Sequence, residues 1–483
     1  MSRQTRVIPR PSSRRGAPGQ AIPGASIDLR DPSSRTRASR DRVHSQQTSN
    51  EPGRSGFRSA FHALGVLAAL AGAVGFGVLG ATGRADSLLG AIVVPVLFVI
   101  AVLAINKWIR PVIGADIASV FIAGFGIRLV AAVPRFLGGA DAPIYQREGV
   151  RIAAELKALN FGVDTGRSIP GTGTIRYLSG VVNVVTASNY ITTFLLFASV
   201  AFIGQCFLLF ALRRSLNTRQ FRFLTVLTML SPTLAFWPSS IGKESITLLG
   251  IGLASYGAML LYGRRWTGVP PVLLGAFAIG MVRPHVALIT LVAILVGLLA
   301  RRAQTRGRML THLAVLLIVI VGSMIMAGAS ADLFGLESFD GVSDVNAALD
   351  FAQARTSQDS AQFVAARVSR PLDYPWAFVT VLFRPFPWEA NSVAATISGV
   401  ESVVLAGLLL AAVPGLISSA GQFLQRGQLL FSVAFTAVFV FLFSAIGNFG
   451  ILSRQRAQVA PFVLVFVAIG LAAERRRVRQ HAR

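Results

Sequence analysis

Long apolar runs recur along most of this chain, from Phe61 to Ala473, with short polar loops between them. Many approach the roughly 20 residues that an α-helix needs to cross the hydrocarbon core of a bilayer. Charged residues make up only 14% of the sequence, against about 25% in an average soluble protein. Because so few charges cannot cover a water-soluble globule, the sequence predicts an all-α, polytopic transmembrane helical bundle. A cytosolic enzyme, a secreted disulfide scaffold and a DNA-binding domain are excluded as whole-chain classes.

The apolar runs predict about twelve membrane spans, with both termini on the cytoplasmic side. This topology places the basic loops inside, including Arg213-Arg214, Arg264-Arg265 and Arg301-Arg302, as the positive-inside rule requires. The predicted localisation is therefore the plasma (inner) membrane, as a multi-pass protein. The predicted spans are 61–81, 88–106, 117–137, 190–212, 221–238, 245–262, 270–282, 286–300, 309–328, 393–417, 428–447 and 457–473.

The N-terminal segment 1–58 differs from the rest of the chain because it holds twelve arginines, four acidic residues and few large apolar side chains. It is predicted to be a disordered basic cytoplasmic tail, and residues 59–483 are predicted to form the transmembrane domain. The net charge of +25 could indicate nucleic acid. However, most basic residues lie in the tail or the predicted inner loops, where they set topology and meet anionic lipid. Membrane lipid, and no nucleic acid, is therefore the predicted partner.

Residues 270–300 are predicted to form a hairpin of two short helices. A single helix of this length would extend about 46 Å at 1.5 Å per residue, which is too long for a hydrocarbon core of about 30 Å. Pro284 supplies the break because proline cannot continue a helix without losing a hydrogen bond. Arg283 and His285 then lie at a corner on the predicted outer side.

Acidic residues outside the tail concentrate on one side of the predicted bundle. Of seventeen, fifteen fall on or near the outer side. Most lie in two long extracytoplasmic segments, 138–189 and 329–392, and segments of this length are uncommon without a function. Any chemistry is therefore predicted at the outer face.

The first long segment is predicted to carry two helices in the membrane interface. Residues 143–160 have an amphipathic pattern, in which Ile152, Leu156 and Leu159 share one face. This helix is too polar to span, so it is expected to lie at the surface. The stretch from Tyr177 to Ala187 is apolar over only about half a span, which predicts a second surface or re-entrant helix.

Asp141 and Tyr145 open this segment, and Lys243-Glu244 forms a polar corner between two later spans. Over roughly residues 117–330, this arrangement resembles the GT-C superfamily of membrane glycosyltransferases, which use polyprenyl-phosphate-linked sugars. In that family an acidic residue early in the first long outer loop precedes two interfacial "jaw" helices and a helical bundle. The resemblance implies that Asp141 occupies the acidic position. Here the acidic loop follows the third predicted span, whereas in the family it usually follows the first.

Glycosyl transfer from a lipid phosphate needs a base for the acceptor proton and cations for the leaving phosphate. Asp141 is the predicted general base. The sequence has no Gly-rich phosphate loop after a strand and no soluble stretch that could bind a nucleotide. A polyprenyl-phosphate-linked sugar and a glycan or glycolipid acceptor are therefore the predicted substrates; no protein metal site or cofactor is predicted, although this chemistry admits a divalent cation. The predicted substrate- and phosphate-binding residues are Tyr145, Lys243, Glu244, Arg283, His285, Arg384, Glu389, Arg454 and Arg456.

Two alternative functions follow from other features. The segment from Arg384 to Glu389 and the corner Arg454-Gln455-Arg456 resemble features of bacterial envelope-polysaccharide membrane proteins. The first alternative is therefore a lipid-linked polysaccharide polymerase or ligase that uses the outer arginines and does not need Asp141. The second is a transporter, because a hairpin broken at Pro284 is typical of discontinuous transporter helices.

Several of these residues also have a purely structural interpretation. Asp141 could cap the helix that follows it. Arg454 and Arg456 could pair with a loop acid such as Glu389. Arg128, inside the third predicted span, is costly there unless it has a partner in the bundle.

Overall fold

The described part of the chain is helical throughout. A computed structural model describes residues 52–139, 141–299, 317, 319–326, 342–356, 362–390 and 392–481. Within these residues there is no strand, and one isolated antiparallel bridge joins Gln362 to Asn448. The all-α fold class is confirmed. Residues 1–51 of the predicted tail lie outside the described residues, and the first helix begins at Pro52.

The described residues form seventeen α-helices. This count leaves out the 3-10 turns, a short extension at the end of the second helix, and the few helical residues between 317 and 326. The second helix extends through a π-helical turn, Ile105–Ile109, to Ile113. In chain order they are α1 (Pro52–Ala81), α2 (Gly90–Ala104), α3 (Ala115–Gly138), α4 (Asp141–Lys157), α5 (Thr172–Val185), α6 (Tyr190–Arg213), α7 (Thr218–Leu230), α8 (Pro232–Phe236), α9 (Lys243–Tyr262), α10 (Val269–Gly280), α11 (Pro284–Leu299), α12 (Val342–Thr356), α13 (Tyr374–Phe383), α14 (Val393–Ser418), α15 (Ala420–Gln425), α16 (Gly427–Phe443) and α17 (Phe449–His481).

Seven of the described helices are long and apolar enough to cross a membrane: α1, α2 with its extension, α3, α6, α9, α14 and α17. These helices indicate a membrane protein. Three further predicted spans, 270–282, 286–300 and 428–447, correspond to the shorter apolar helices α10, α11 and α16. The predicted span 309–328 lies mostly outside the described residues, so the total of about twelve stays a prediction.

One predicted span, 221–238, is not a single helix. It divides into α7 and α8 at Ser231, whose backbone is extended and whose hydroxyl accepts a hydrogen bond from the Leu234 amide at 3.3 Å. Pro232 then occupies the first position of α8. A serine cap followed by proline is a helix-start signal, and here it overrides an otherwise apolar run.

The predicted hairpin is present as two helices. α10 ends at Gly280 and α11 begins at Pro284, so Arg283 lies in the turn between them. The turn is fixed from outside, because the Thr174 hydroxyl and the Gly171 amide of the α5 start both donate to the carbonyl of Met281, at 2.6 and 2.8 Å.

The two predicted interfacial helices are present as α4 and α5, which pack against each other. Gln146 and Asn183 exchange side-chain hydrogen bonds of 2.9 and 3.2 Å across their buried contact. Ile152 and Leu156 are buried, as their shared face predicts. Leu159 is 76% exposed because α4 ends at Lys157 and the backbone there turns to a positive φ. The predicted three-residue stripe is therefore wrong at its last position.

Glycines bring the longest helices into close contact. A Cβ added to Gly252 of α9 would lie 2.0 Å from the carbonyl oxygen of Gly204 in α6. The same holds for Gly415 of α14 against Gly470 of α17. Small residues at such crossings let helix backbones approach, which is how helices associate in lipid.

Arg128 ties three elements together in the middle of α3. It is 1% exposed and donates to the Gln205 side chain of α6 at 2.6 Å and to the Leu234 carbonyl of α8 at 2.8 Å. The predicted partners in the bundle are therefore present, and the described ones are neutral acceptors. These bonds hold α8, and with it the following residues Trp237 to Gly242, against α3 and α6.

Candidate functional site

Four helix ends meet around Arg454, in what we call the Arg454 cluster: Asp141, Glu244, Arg283, Arg454 and Gln455. Arg454 donates from Nη1 to Asp141 Oδ2 at 3.0 Å, and its Nε lies 3.7 Å from Glu244 Oε1. Arg283 donates from Nη2 to the same Glu244 oxygen at 2.7 Å and from Nη1 to Gln455 Oε1 at 2.5 Å. Residues more than 300 positions apart in the sequence therefore form one continuous polar network.

Local sequence explains why each side chain points into this cluster. Asp141 and Glu244 lie in the first turns of α4 and α9, where the positive end of the helix dipole favours acids. Asn448 precedes α17 and accepts a hydrogen bond from the Ile451 amide at 3.1 Å, so the helix is established before Arg454. Arg283 is fixed by the turn described above.

Three further predicted residues lie beside the cluster. Burial, with a smaller contribution from the negative charges of Asp141 and Glu244, raises the pKa of the Tyr145 phenol to about 12, so this side chain is neutral at physiological pH. Lys243 is adjacent to Glu244 and within electrostatic range of Arg283. His285 begins α11, and its ring centroid lies 6.0 Å from that of Phe443.

Arg135 and Trp237 were not predicted as site residues, yet both adjoin the cluster. The guanidinium carbon of Arg454 lies 5.7 Å from the Trp237 ring centroid, and that of Arg135 lies 5.3 Å from it. Arg135 is also in electrostatic range of Arg454, Glu244 and Asp141. In the sequence, Arg135 has the pattern of a basic residue in the last turn of a helix, where it usually complements the dipole. No local sequence pattern predicts that Arg135 lies close to Trp237, because this contact depends on the fold.

Positive charge exceeds negative charge in this region. Arg135, Lys243, Arg283 and Arg454 face two carboxylates, Asp141 and Glu244, which leaves an excess of two positive charges. A partly buried group of cations with such an excess is suited to binding an anion, and arginine in particular matches phosphate oxygens with two parallel donors.

The other predicted residues form a second group, the Arg384 cluster: Arg384, Glu389 and Arg456. Arg384 donates from Nε to both Glu389 oxygens, at 2.9 and 3.1 Å, and its guanidinium lies 4.3 Å from the Phe363 ring centroid. Arg456 is 3% exposed and donates to the Ser402 hydroxyl and to the Arg384 carbonyl. These contacts fasten the segment after α13 to α14 and α17.

The helical period of α17 separates the two clusters. Arg454 and Arg456 are two residues apart, so they lie about 200° apart around the helix axis. The predicted acid partner for these arginines, Glu389, pairs with Arg384 instead. Arg454 does pair with acids, but they are Asp141 and Glu244.

An apolar cavity opens beside the Arg454 cluster, between α3, α8 and α14. Its volume is about 450 Å³, and Ala131, Arg135 and Trp237 are among the residues that line it. Ile127, Val130 and Phe236 are among its apolar walls.

Among the described residues, no group of three or more His, Cys, Asp or Glu side chains is placed to hold a metal ion.

Comparison with known proteins provides no functional assignment: no family model matches the chain, and no curated protein or solved structure is significantly similar to it.

Proposed function

We propose that the protein is an integral-membrane glycosyltransferase that moves a sugar from a polyprenyl-phosphate donor to an envelope acceptor, with Asp141 as the general base. The observation that supports it best is the Arg454 cluster, in which an accessible carboxylate adjoins an excess of positive charge. Such an arrangement pairs a proton acceptor with groups that stabilise a departing phosphate. The proposed location is the extracytoplasmic face.

Asp141 has the exposure that a base for an external substrate requires. Its side chain is 45% exposed, and only Oδ2 accepts a hydrogen bond from the described residues. In the proposed reaction, an acceptor hydroxyl donates to Oδ1, and its oxygen attacks the anomeric carbon as its proton passes to Asp141. The bond from that carbon to the phosphate oxygen breaks, and the lipid phosphate leaves with the electron pair.

Arg454 is the proposed ligand of the leaving phosphate, and Arg283 supports it. Arg454 is 34% exposed, so a ligand can reach its guanidinium, whereas Arg283 is only 7% exposed. Glu244 is buried and interacts with both, so it orients the two guanidinium groups.

The test is a transfer assay on purified protein in nanodiscs, with radiolabelled polyprenyl-phosphate sugars and glycolipid acceptors. Asp141→Asn should lower the transfer rate by about 10²–10⁴-fold, the usual contribution of a general base. Asp164→Asn is the matched control, because Asp164 lies in the same segment and, among the described residues, its side chain accepts a hydrogen bond only from the Gly166 amide. Full transfer by Asp141→Asn would remove the base assignment.

The excess of arginines also supports a second proposal, a lipid-linked polysaccharide polymerase or ligase. In that case the arginines bind the phosphates of two lipid-linked glycans, and Asp141 only orients Arg454. Arg454→Gln should then shorten the polysaccharide product while Asp141→Asn leaves polymer length nearly unchanged. Equal loss in both variants would favour the glycosyltransferase.

A further inference from the structure

Arg135 is a buried cation that the proposed mechanism leaves unused. It is 5% exposed, and none of the described residues accepts a hydrogen bond from its guanidinium. The ring centroids of Trp237 and Phe236 lie 5.3 and 5.7 Å from its guanidinium carbon, and Asp141 and Glu244 are within electrostatic range but accept no hydrogen bond from it. Aromatic rings attract a cation only modestly, and a buried charge without an acceptor is costly. An anion that is absent from the isolated chain would satisfy it.

The cavity next to Arg135 indicates what kind of molecule carries that anion. Apart from Arg135, its walls are mostly apolar. The other charged residue in the wall, Glu401, is turned towards Ser231 and Thr233, from which it accepts three hydrogen bonds of 2.5–2.9 Å. Arg135 is therefore the only cation among the described residues that line this mostly apolar cavity, which matches an amphiphile with a single anionic head.

The size and position of the cavity match one hydrocarbon chain. Its volume of about 450 Å³ lies within the range of about 300–1,000 Å³ that is usual for ligand pockets. Residues at its rim are exposed, including Ile397 at 53% on α14 and Pro134 on α3. Both helices are candidate membrane spans, so the cavity opens sideways where a lipid chain can enter from the bilayer.

We infer that Arg135 binds the phosphate of a single-chain lipid monophosphate whose hydrocarbon chain occupies the cavity between α3, α8 and α14. This inference rests on the proposed function, because it names the site for the lipid part of the donor. The guanidinium carbons of Arg135 and Arg454 lie 5.3 and 5.7 Å from the Trp237 ring centroid, so a phosphate on Arg135 lies next to the Arg454 cluster. Arg135 and Arg454 then bind the same phosphate, which is the group that leaves in the proposed transfer.

The test measures binding alone, by native mass spectrometry of the full chain in detergent, with farnesyl phosphate as the probe. Farnesol lacks the anion, inorganic phosphate lacks the chain, and phosphatidylglycerol has two chains. We expect farnesyl phosphate to bind more tightly than each of these. Arg135→Gln should weaken farnesyl phosphate binding about 10- to 100-fold, as loss of a charge-assisted hydrogen bond predicts, and leave farnesol binding unchanged.

Two further variants complete the test. Ala131→Phe fills the cavity and should weaken both farnesyl phosphate and farnesol, which tests the site even if Arg135→Gln does not fold. Arg84→Gln is the control for lost positive charge, because Arg84 lies near the Phe136 ring but does not line the cavity. This variant should bind farnesyl phosphate within about two-fold of the wild-type chain.

Unchanged binding in Arg135→Gln or in Ala131→Phe would overturn the inference, and so would equal binding of phosphatidylglycerol and farnesyl phosphate. These outcomes are distinct from a failure of the proposed function. If the wild-type chain binds farnesyl phosphate through Arg135 but transfers no sugar, the site stands and the glycosyltransferase proposal fails. If sugar transfer requires Asp141 but farnesyl phosphate binding does not depend on Arg135, the glycosyltransferase proposal stands and the inference about the lipid site fails.

Discussion

The buried ion pair between Arg283 and Glu244 should be one of the most sensitive points of the fold. The two atoms are 2.7 Å apart, and the side chains are 7% and 6% exposed. Glu244→Gln keeps the shape but removes the charge, so Arg283 stays buried with no carboxylate among its described partners. Removing one member of a buried pair typically costs 3–5 kcal/mol, so the free energy of unfolding should fall by about 4 kcal/mol.

Replacing the other member of the pair, Arg283, should lower the free energy of unfolding less, because the pair belongs to a larger group of charges. In Arg283→Gln, Glu244 still has Arg454 at 3.7 Å and is not left alone. In the double variant neither charge remains without its partner, so the loss should be about 0.5–3 kcal/mol smaller than the sum of the single losses.

The measurement is reversible unfolding in mixed micelles with increasing sodium dodecyl sulfate, followed by tryptophan fluorescence. Glu148→Gln is the control, since Glu148 pairs with Arg151 at 3.2 Å on the surface and such pairs contribute about 0–1 kcal/mol. If Glu244→Gln matches this control, or if Arg283→Gln proves the more costly change, the reasoning about the network is refuted.

Four other substitutions, one of them a control, test the packing and the loops. Gly252→Leu places a side chain against the Gly204 backbone and should destabilise the bundle by about 1–3 kcal/mol or more in the same unfolding assay; Gly407→Leu, where an added Cβ meets nothing within 4 Å, should change little. Arg384→Gln should speed proteolytic cleavage between Arg384 and Glu389, because their ion pair holds this segment; an unchanged cleavage rate would contradict that role. Backbone N–H groups of Arg370 and Ser369 lower the pKa of Asp373, so its stabilisation is present above the ordinary aspartate pKa and is lost as pH falls through the lowered value. Asp373→Asn should therefore speed amide exchange at Ser369 relative to the wild-type chain at neutral pH, and the difference should disappear in acid.

Apolar runs were sufficient to predict much of the fold. They locate α3, α6 and α9 to within a few residues, because a long uninterrupted run leaves a helix as the only spanning structure. Pro284 predicts the break between α10 and α11 for the same steric reason that Pro232 starts α8. The second break is not predicted, because its serine and proline lie within an apolar run that by itself favours one continuous helix.

The site was predictable to the extent that it depends on topology. Asp141, Glu244, Arg283 and Arg454 all lie at predicted outer corners, and these corners meet. Which arginine pairs with which acid depends on helix rotation and tilt, which the sequence does not specify. Arg135 was missed for that reason: only the packing of α3 against α8 distinguishes it from an ordinary basic helix end.

Arg128 has a consequence for how the chain is assembled during synthesis. An arginine near the centre of an inserting helix costs about 2.5–3.5 kcal/mol on translocon scales. The acceptors that satisfy it, Gln205 and the Leu234 carbonyl, are 77 and 106 residues further along the chain. When α3 leaves the ribosome, these partners do not yet exist. The helix therefore reaches its final depth only after α6 and α8 have been made, and insertion of this part of the bundle is a cooperative event.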